Sequence, residues 1–99
     1  MENLQKDFIT SSGKKLVRCS LVHEKQIMDE LVLLNRSTGT YYTLNDTGAA
    51  IWKYCAQGRR WDEILDFVSH EYQMEKKILE EEIYSYLQTL VQEGIFEVR

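Results

Sequence analysis

The hydrophobic residues of this chain follow two different spacings. Before Asn45 they either alternate with polar residues or form a short continuous run, and beyond it they recur at every third or fourth position. The first kind of pattern is typical of β-strands and the second of amphipathic helices. Alternation predicts a strand at residues 16–23, the apolar run predicts one at 29–35, and the Thr and Tyr residues favour one at 40–44, with residues 24–28 as a connection. We expect these strands to form an antiparallel meander with the second strand in the middle.

The first two predicted strands differ in the number of faces they bury. Val17, Cys19 and Leu21 place their apolar side chains on one face, which indicates a half-buried strand. The run from Leu31 to Leu34 is apolar on both faces. Strands of that kind are usually covered on both sides. We therefore expect the second strand to be covered on both faces or nearly so.

Three helices are predicted in the second part of the chain, at residues 46–57, 61–72 and 75–93, followed by an extended tail at 95–98. Asn45 is a favoured N-cap for the first helix, and Gly58 and Gly94 end the first and third helices. The inner face of the third helix is expected to contain Leu79, Ile83, Tyr86, Leu87, Leu90 and Val91. The predicted fold is α+β and winged-helix-like, with a three-stranded antiparallel sheet followed by three helices. Residues 1–15 are predicted to be a flexible lead-in, in which Phe8 and Ile9 are candidates to dock locally.

The charge of the chain argues against nucleic-acid binding. The net charge is −4, whereas phosphate contacts require a basic surface. A winged-helix DNA-binding protein is still an alternative, because the third helix would be its reading helix. That helix, however, carries Glu75, Glu80, Glu81, Glu82 and Glu93. Their carboxylates would face phosphates across a groove, so DNA binding is not the favoured interpretation.

The sequence shows no motif for catalysis, a cofactor or a metal. His23 and His70 are the only histidines and lack a partner at metal-ligand spacing. Cys19 and Cys55 are far apart in sequence, so we expect two small buried side chains and no disulfide. No apolar run approaches the length of a membrane span, and the N-terminus lacks a signal-peptide core. A non-catalytic cytoplasmic protein is the resulting expectation.

The third predicted strand is distinguished by an unprotected edge. Residues 40–44 (TYYTL) contain no Lys, Glu or Pro, which commonly prevent pairing at sheet edges. The first strand, in contrast, is flanked by Lys14, Lys15 and Arg18. An extended peptide can add to such an edge as another strand. The residues alone leave two other possibilities, coverage by the chain's own N-terminal segment and self-association through the same edge.

Several short motifs together resemble the PqqD family of leader-recognition domains, which are also called RiPP recognition elements. The resemblance covers roughly residues 16–96 and rests on Leu33-Leu34-Asn35, Thr38 to Asn45 (TGTYYTLN), Gly48, Ile51-Trp52, Gly58, Glu63-Ile64 and Leu90 to Ile95 (LVQEGI). It implies three antiparallel strands followed by three helices and no activity of its own. It also implies that the leader of a precursor peptide pairs along the third strand and lies against the third helix. The bound peptide is then delivered to a partner, either a radical-SAM enzyme or a leader peptidase.

The resemblance assigns a peptide-binding site to particular residues of this chain. The strand contributes Thr40, Tyr41, Tyr42, Thr43 and Leu44, and the helix contributes Leu79, Glu82, Ile83, Tyr86 and Leu90. Alternation places Tyr42 on the inner face with Leu44, so Tyr41 is favoured over Tyr42 as the exposed contact. Trp52 lies where the family has a core tryptophan and is expected to be buried. The acidic third helix suggests a leader with some basic residues.

Overall fold

The computed structural model describes residues 9–10 and 13–99. The strands are β1 (Lys15–Arg18), β2 (Val22–Ile27), β3 (Glu30–Asn35), β4 (Thr40–Leu44), β5 (Arg59–Arg60) and β6 (Phe96–Val98). The helices are α1 (Asp46–Tyr54), which continues as a 3-10 turn (Cys55–Gln57), α2 (Trp61–Tyr72) and α3 (Lys76–Gln92). The predicted α+β fold is confirmed. All three expected helices are present, and their ends lie within a few residues of the prediction.

The predicted meander is present as an antiparallel sheet with the order β2-β3-β4. In this meander sheet, Leu33 is opposite Tyr42 on one side and Glu24 on the other. The middle strand β3 buries Leu31, Leu33 and Asn35 against the helices. Its other face is less covered than expected, because Val32 and Leu34 are only half-buried.

The prediction for the first strand was wrong in its position. Residues 16–23 do not form one strand, because Cys19 to Leu21 form a turn, closed by a 3.1 Å bond from the Val22 N–H to the Cys19 carbonyl. The true first strand of the meander is β2, in the region expected to be a connection. The buried face is also the opposite one: Leu16 is fully buried, whereas Leu21, which was expected on the buried face, is exposed. Because β2 is polar along its length, its extended form depends on pairing with β3 rather than on its own pattern.

A second antiparallel sheet, with the order β5-β1-β6, was not predicted. In it, β1 pairs with the C-terminal strand β6, so that Val17 is opposite Glu97. The expected extended tail is therefore part of a sheet. Since β1 lies between two neighbours, the lysines and arginine near it do not protect a sheet edge.

The core lies between the meander sheet and the helices. Its central side chains include Leu33, Ile51, Trp52, Ile64, Leu87 and Phe96, each almost completely buried. The prediction that Trp52 is a core residue is confirmed. On α3 the buried residues are Leu79, Ile83, Tyr84, Leu87 and Leu90, so Tyr84 joins the expected inner face, whereas Tyr86 and Val91 are half-buried.

A polar cluster joins the two sheets through Trp52. The Arg18 guanidinium donates to the Trp52 carbonyl at 2.7 and 2.9 Å and lies 4.3 Å from the centre of the indole ring. The Trp52 Nε1–H donates to the Glu24 carboxylate at 3.0 Å. Because Arg18 belongs to β1 and Glu24 to β2, this cluster fixes the meander sheet to the second sheet.

Three smaller expectations have separate outcomes. Phe8 lies outside the described residues, whereas Ile9 is buried in the core. Both cysteines are free; Cys55 is fully buried and Cys19 is half-buried. Burial raises the pKa of the Cys55 thiol to about 12. Within the described ranges, no helix is both long enough and apolar enough to cross a membrane.

Candidate peptide-binding site

Strand β4 is an edge strand of the meander sheet. One side pairs with β3, and no described strand pairs with the other side. In an antiparallel ladder, every second residue of an edge strand directs its N–H and C=O groups outward. Thr40, Tyr41 and Thr43 are exposed, Tyr42 is half-buried and Leu44 is buried. The strand therefore presents unpaired backbone groups on a segment that carries no charge.

Two asparagines determine where β4 begins and ends. At the start, the Gly39 N–H donates to the Asn35 carbonyl at 2.7 Å, and Gly39 has a φ of +75°. The buried side chain of Asn35 accepts from the Ser37 N–H at 2.9 Å and donates to the Glu93 carbonyl at 3.0 Å. At the end, the Asn45 side chain accepts from the Gly48 N–H at 2.7 Å, which caps α1. The first asparagine thus fixes the β3–β4 turn against the C-terminal end of α3.

Helix α3 runs beside β4 and presents one stripe of side chains towards it. The Tyr42 hydroxyl donates to the Glu93 carboxylate, and Tyr86 lies against the first turn of α1. Glu82, Tyr86 and Glu93 follow the i, i+4, i+11 spacing of one helix face. This stripe spans about 16 Å along the helix axis, which corresponds to roughly five residues of an extended chain. Its length therefore matches the length of β4.

A groove of about 270 Å³ lies where the end of β4 meets α3. It is lined by Asn45, Thr47, Glu82, Ile83 and Tyr86. Its shape depends on Gly48, because a Cβ at this position would overlap the Tyr86 hydroxyl and lie 2.9 Å from Cζ of the same ring. Only glycine allows α1 and the Tyr86 ring to approach this closely.

The groove combines neutral aromatic side chains with carboxylates. The hydrogen bond to Glu93 raises the pKa of Tyr42 above its usual value, and burial raises the pKa of Tyr86. Both hydroxyls are therefore protonated at neutral pH. The Glu82 and Glu93 side chains are exposed and acidic. Such a surface can accept hydrogen bonds from a peptide and attract its basic side chains.

The residues assigned from the sequence fall into three groups in the structure. Thr40, Tyr41, Thr43 and Glu82 are exposed, and Tyr42 and Tyr86 are half-buried. Leu44, Leu79, Ile83 and Leu90 are each at most 6% exposed, so they belong to the core, and only Ile83 among them also lines the groove. Tyr41 is 68% exposed, as alternation predicted, but it lies on the sheet face opposite the helices, whereas Tyr42 lies on the side of α3.

Sequence reasoning missed four residues of this site. Asn45 and Thr47 line the groove, Gly48 gives it room, and Glu93 holds Tyr42. Glu93 was detectable, because it continues the helix face of Glu82 and Tyr86. The other three depend on how closely α1 approaches α3, for which the sequence carries no periodic signal. Among residues 9–10 and 13–99, no cluster of His, Cys, Asp and Glu side chains is suited to hold a metal ion.

Comparison with known proteins places this geometry in a family. No curated protein matches the sequence. The structure titled TbiB1 in complex with the TbiA(beta) leader peptide is similar, with a TM-score of 0.74 and 32% identity over 82% of this chain and 94% of that chain. A lasso peptide synthetase B1 complexed with the leader peptide is similar with a TM-score of 0.71 and 26% identity, over 83% of this chain and 96% of that chain. The family model for coenzyme PQQ synthesis protein D matches residues 30–95. Because that match spans most of the sequence, the chain belongs to the PqqD family.

Proposed function

We propose that this protein binds the leader of a ribosomally made precursor peptide as an additional strand along β4. The unpaired edge of β4 beside the groove of α3 is the observation that carries this proposal. It is supported by the two similar structures, both of which are complexes with a leader peptide. In such pairing, backbone hydrogen bonds supply affinity and alternate side chains supply specificity.

The side chains of the bound leader would meet two different environments. Those directed towards α3 enter the groove above Ile83 and beside Tyr86, where an apolar group displaces water from the ring. Basic side chains reach the carboxylates of Glu82 and Glu93. The opposite side chains lie next to Tyr41 and Thr43. The proposed contacts are therefore Thr40 to Leu44 on the strand, together with Glu82, Ile83, Tyr86 and Glu93 on the helix.

In this proposal the protein acts by binding and not by catalysis. It holds the leader and presents the rest of the precursor to an enzyme, either a leader peptidase or a radical-SAM enzyme. The lasso peptide name of one similar structure favours the peptidase. We place this step in the cytoplasm, where a newly translated precursor is available.

Amide chemical shifts during a titration test the proposal. The probe is the leader of the precursor encoded beside the gene of this protein, with a scrambled leader as control. We expect the largest changes at residues 40–48 and 82–93. An absence of binding, or changes centred on β2 or on the α2–α3 turn, would contradict leader pairing along β4.

The charge of the groove provides a second test. Because Glu82 and Glu93 attract basic residues through solvent, the affinity for a leader with basic residues should fall as salt screens them. Calorimetry at rising salt measures this effect. An affinity that does not depend on salt would remove the proposed role of the carboxylates, while strand pairing would remain.

The alternatives predict different results in simple experiments. A DNA-binding protein would shift random duplex DNA in a gel, with an affinity that falls steeply with salt. A domain that self-associates through β4 would sediment as a dimer that the leader does not disturb. No specific contact in the structure favours either alternative.

A further inference from the structure

We propose that the outer face of the meander sheet is a docking surface for a second protein whose own contact surface is apolar at its centre and acidic at its rim. This inference rests on the proposed function, because the partner is the enzyme that receives the bound precursor. The outer face is the side of the sheet turned away from the helices, and its residues are His23, Lys25, Ile27, Glu30, Val32, Leu34, Tyr41 and Thr43.

The register of the strands places an apolar band across this face. Leu34 on β3 lies between His23 and Tyr41, and Val32 lies between Lys25 and Thr43. Ile27 extends the band at the end of β2. Tyr41 is 68% exposed and Ile27 is 47% exposed, so both edge strands add accessible apolar side chains to the half-buried Val32 and Leu34. A hollow of about 320 Å³ is lined by these four apolar residues together with His23, Glu24 and Lys25.

The sequence of β3 is suited to a strand that is covered on both faces. Its inward residues Leu31 and Leu33 are at most 3% exposed, but its outward residues Val32 and Leu34 are only half-buried. In the described part of the chain, the helices and the second sheet cover the inner face alone. Apolar patches surrounded by polar residues commonly mark protein interaction sites. The outer face thus has the pattern of a buried surface without a cover from the described elements.

The charges around this band indicate the chemistry of the partner. Lys25 lies on the outer face, and the Arg36 guanidinium lies 3.0 Å from Nε2 of His23, which fixes a second cation at its rim. Glu24 also lines the hollow, but its carboxylate accepts from the Trp52 indole N–H and is paired with Arg18. Glu30, opposite Ile27 at the start of β3, adds one carboxylate to this face. The rim is therefore mainly basic, although the chain has a net charge of −4.

This charge pattern favours a protein partner over the other candidates. Two cations around an apolar centre supply few of the phosphate contacts that nucleic acids require. A second copy docked on this face would present the same excess of cations, which is unfavourable. An apolar surface with carboxylates at its rim satisfies both parts of the outer face.

The outer face and the leader edge can be occupied at the same time. They share β4, but β2 lies about 10 Å from the free edge of β4, since neighbouring strands are roughly 4.8 Å apart. Substitutions on β2 therefore test the outer face without touching the leader site. Lys25→Glu reverses a rim charge, and Ile27→Asp places a carboxylate in the apolar band. Met74→Asp is the matched control, because Met74 is 42% exposed and lies in the α2–α3 turn, away from both surfaces.

The experiment measures binding of the protein to the leader peptidase of the same organism, which is the partner that the similar lasso peptide structure favours. Leader binding and the unfolding midpoint are measured for every variant. We expect each β2 variant to weaken enzyme binding by roughly tenfold or more, because both change the centre or rim of one contact surface. Leader affinity and stability should stay near wild type, and Met74→Asp should bind the enzyme normally.

Each other outcome would overturn the inference. The outer face is not the docking surface if the wild-type protein fails to bind the enzyme, if the β2 variants bind normally, or if Met74→Asp is equally impaired. If the wild-type protein dimerises and Ile27→Asp does not, a second copy is the occupant of the outer face. If the wild-type protein binds duplex DNA and Lys25→Glu does not, the occupant is nucleic acid. Failure of leader binding in the wild-type protein would instead refute the proposed function, and it is measured separately.

Discussion

The two edges of the meander sheet have opposite compositions. Edge strand β2 reads VHEKQI and carries two charged residues, whereas edge strand β4 reads TYYTL and carries none. Both strands pair with β3 and have the same position relative to the middle of the sheet. Charged residues on an edge oppose the addition of another strand. The difference indicates that one edge is closed to pairing and the other is available to a peptide.

The polar side chains of β2 also contribute to the fold. Glu24 accepts from the Trp52 indole and pairs with Arg18, and His23 contacts Arg36. On β4, by contrast, the inner side chain Tyr42 is directed to Glu93 at the mouth of the groove. Changes at Glu24 should therefore affect stability, and changes on β4 should affect peptide binding. Substitutions on the two strands test this separation.

Proline in β4 should have the largest effect. Of the neighbouring substitutions Tyr42→Pro and Thr43→Pro, one removes an N–H that points towards β3 and the other removes an N–H that points outward. The outward variant should keep its unfolding midpoint. The proline ring removes that N–H and also obstructs the neighbouring carbonyl bond to the leader. Leader affinity should then fall by about a hundredfold, the equivalent of about two lost backbone bonds at ~1.4 kcal/mol each.

The matched pair on the other edge is Glu24→Pro and Lys25→Pro. The member of this pair that stays folded should bind the leader as the wild-type protein does. Leader binding retained in both folded β4 variants, or lost equally on β2, would show that the two edges do not differ in function.

Gly48→Ala should have the next largest effect. The added Cβ overlaps the Tyr86 hydroxyl, so the ring must leave its place and the groove beside β4 changes shape. We expect leader affinity to fall by roughly tenfold, which corresponds to about 1.4 kcal/mol. A double-mutant cycle with Tyr86→Leu checks the cause, because the two changes should not add if Gly48 acts through Tyr86. Additive losses would contradict this mechanism.

The spacing of apolar residues along each element explains which parts of the molecule were predictable from sequence. Helices α2 and α3 have continuous apolar stripes, such as Leu79, Ile83 and Leu87, so their bounds were predicted closely. Strand β2 has no alternation of apolar residues, because its form depends on β3. The second sheet joins strands of two to four residues from distant parts of the chain.

The candidate site shows the same division between local and distant information. The uncharged edge of β4 is a property of five consecutive residues and was visible in the sequence. The groove, in contrast, lies between α1 and α3. Thr47 and Tyr86 line it together only because these two helices come close to each other in the folded structure.

Glu24→Ala should separate stability from binding. It removes the acceptor of the half-buried Trp52 N–H and one partner of Arg18, so the free energy of unfolding should fall by about 1 kcal/mol. Glu24→Gln is the control, because its amide oxygen can still accept from the indole. Urea denaturation measures the change. Leader affinity should be unaffected, and a parallel loss of affinity would mean that β2 and β4 are coupled.

The smallest expected effect concerns the contact between Tyr42 and Glu93. That hydrogen bond raises the pKa of the Tyr42 phenol above the usual value of 10.0. The folded protein therefore holds this proton more tightly than the unfolded chain, and the associated stability is present below pH 10 and is lost as the pH rises through the folded-state pKa. Tyr42→Phe lacks this contribution. The stability difference between the wild-type protein and Tyr42→Phe should thus be constant at neutral pH and shrink above pH 10, as urea denaturation at a series of pH values would measure. A difference that does not change with pH would show that the contact between β4 and α3 contributes nothing to holding the groove together.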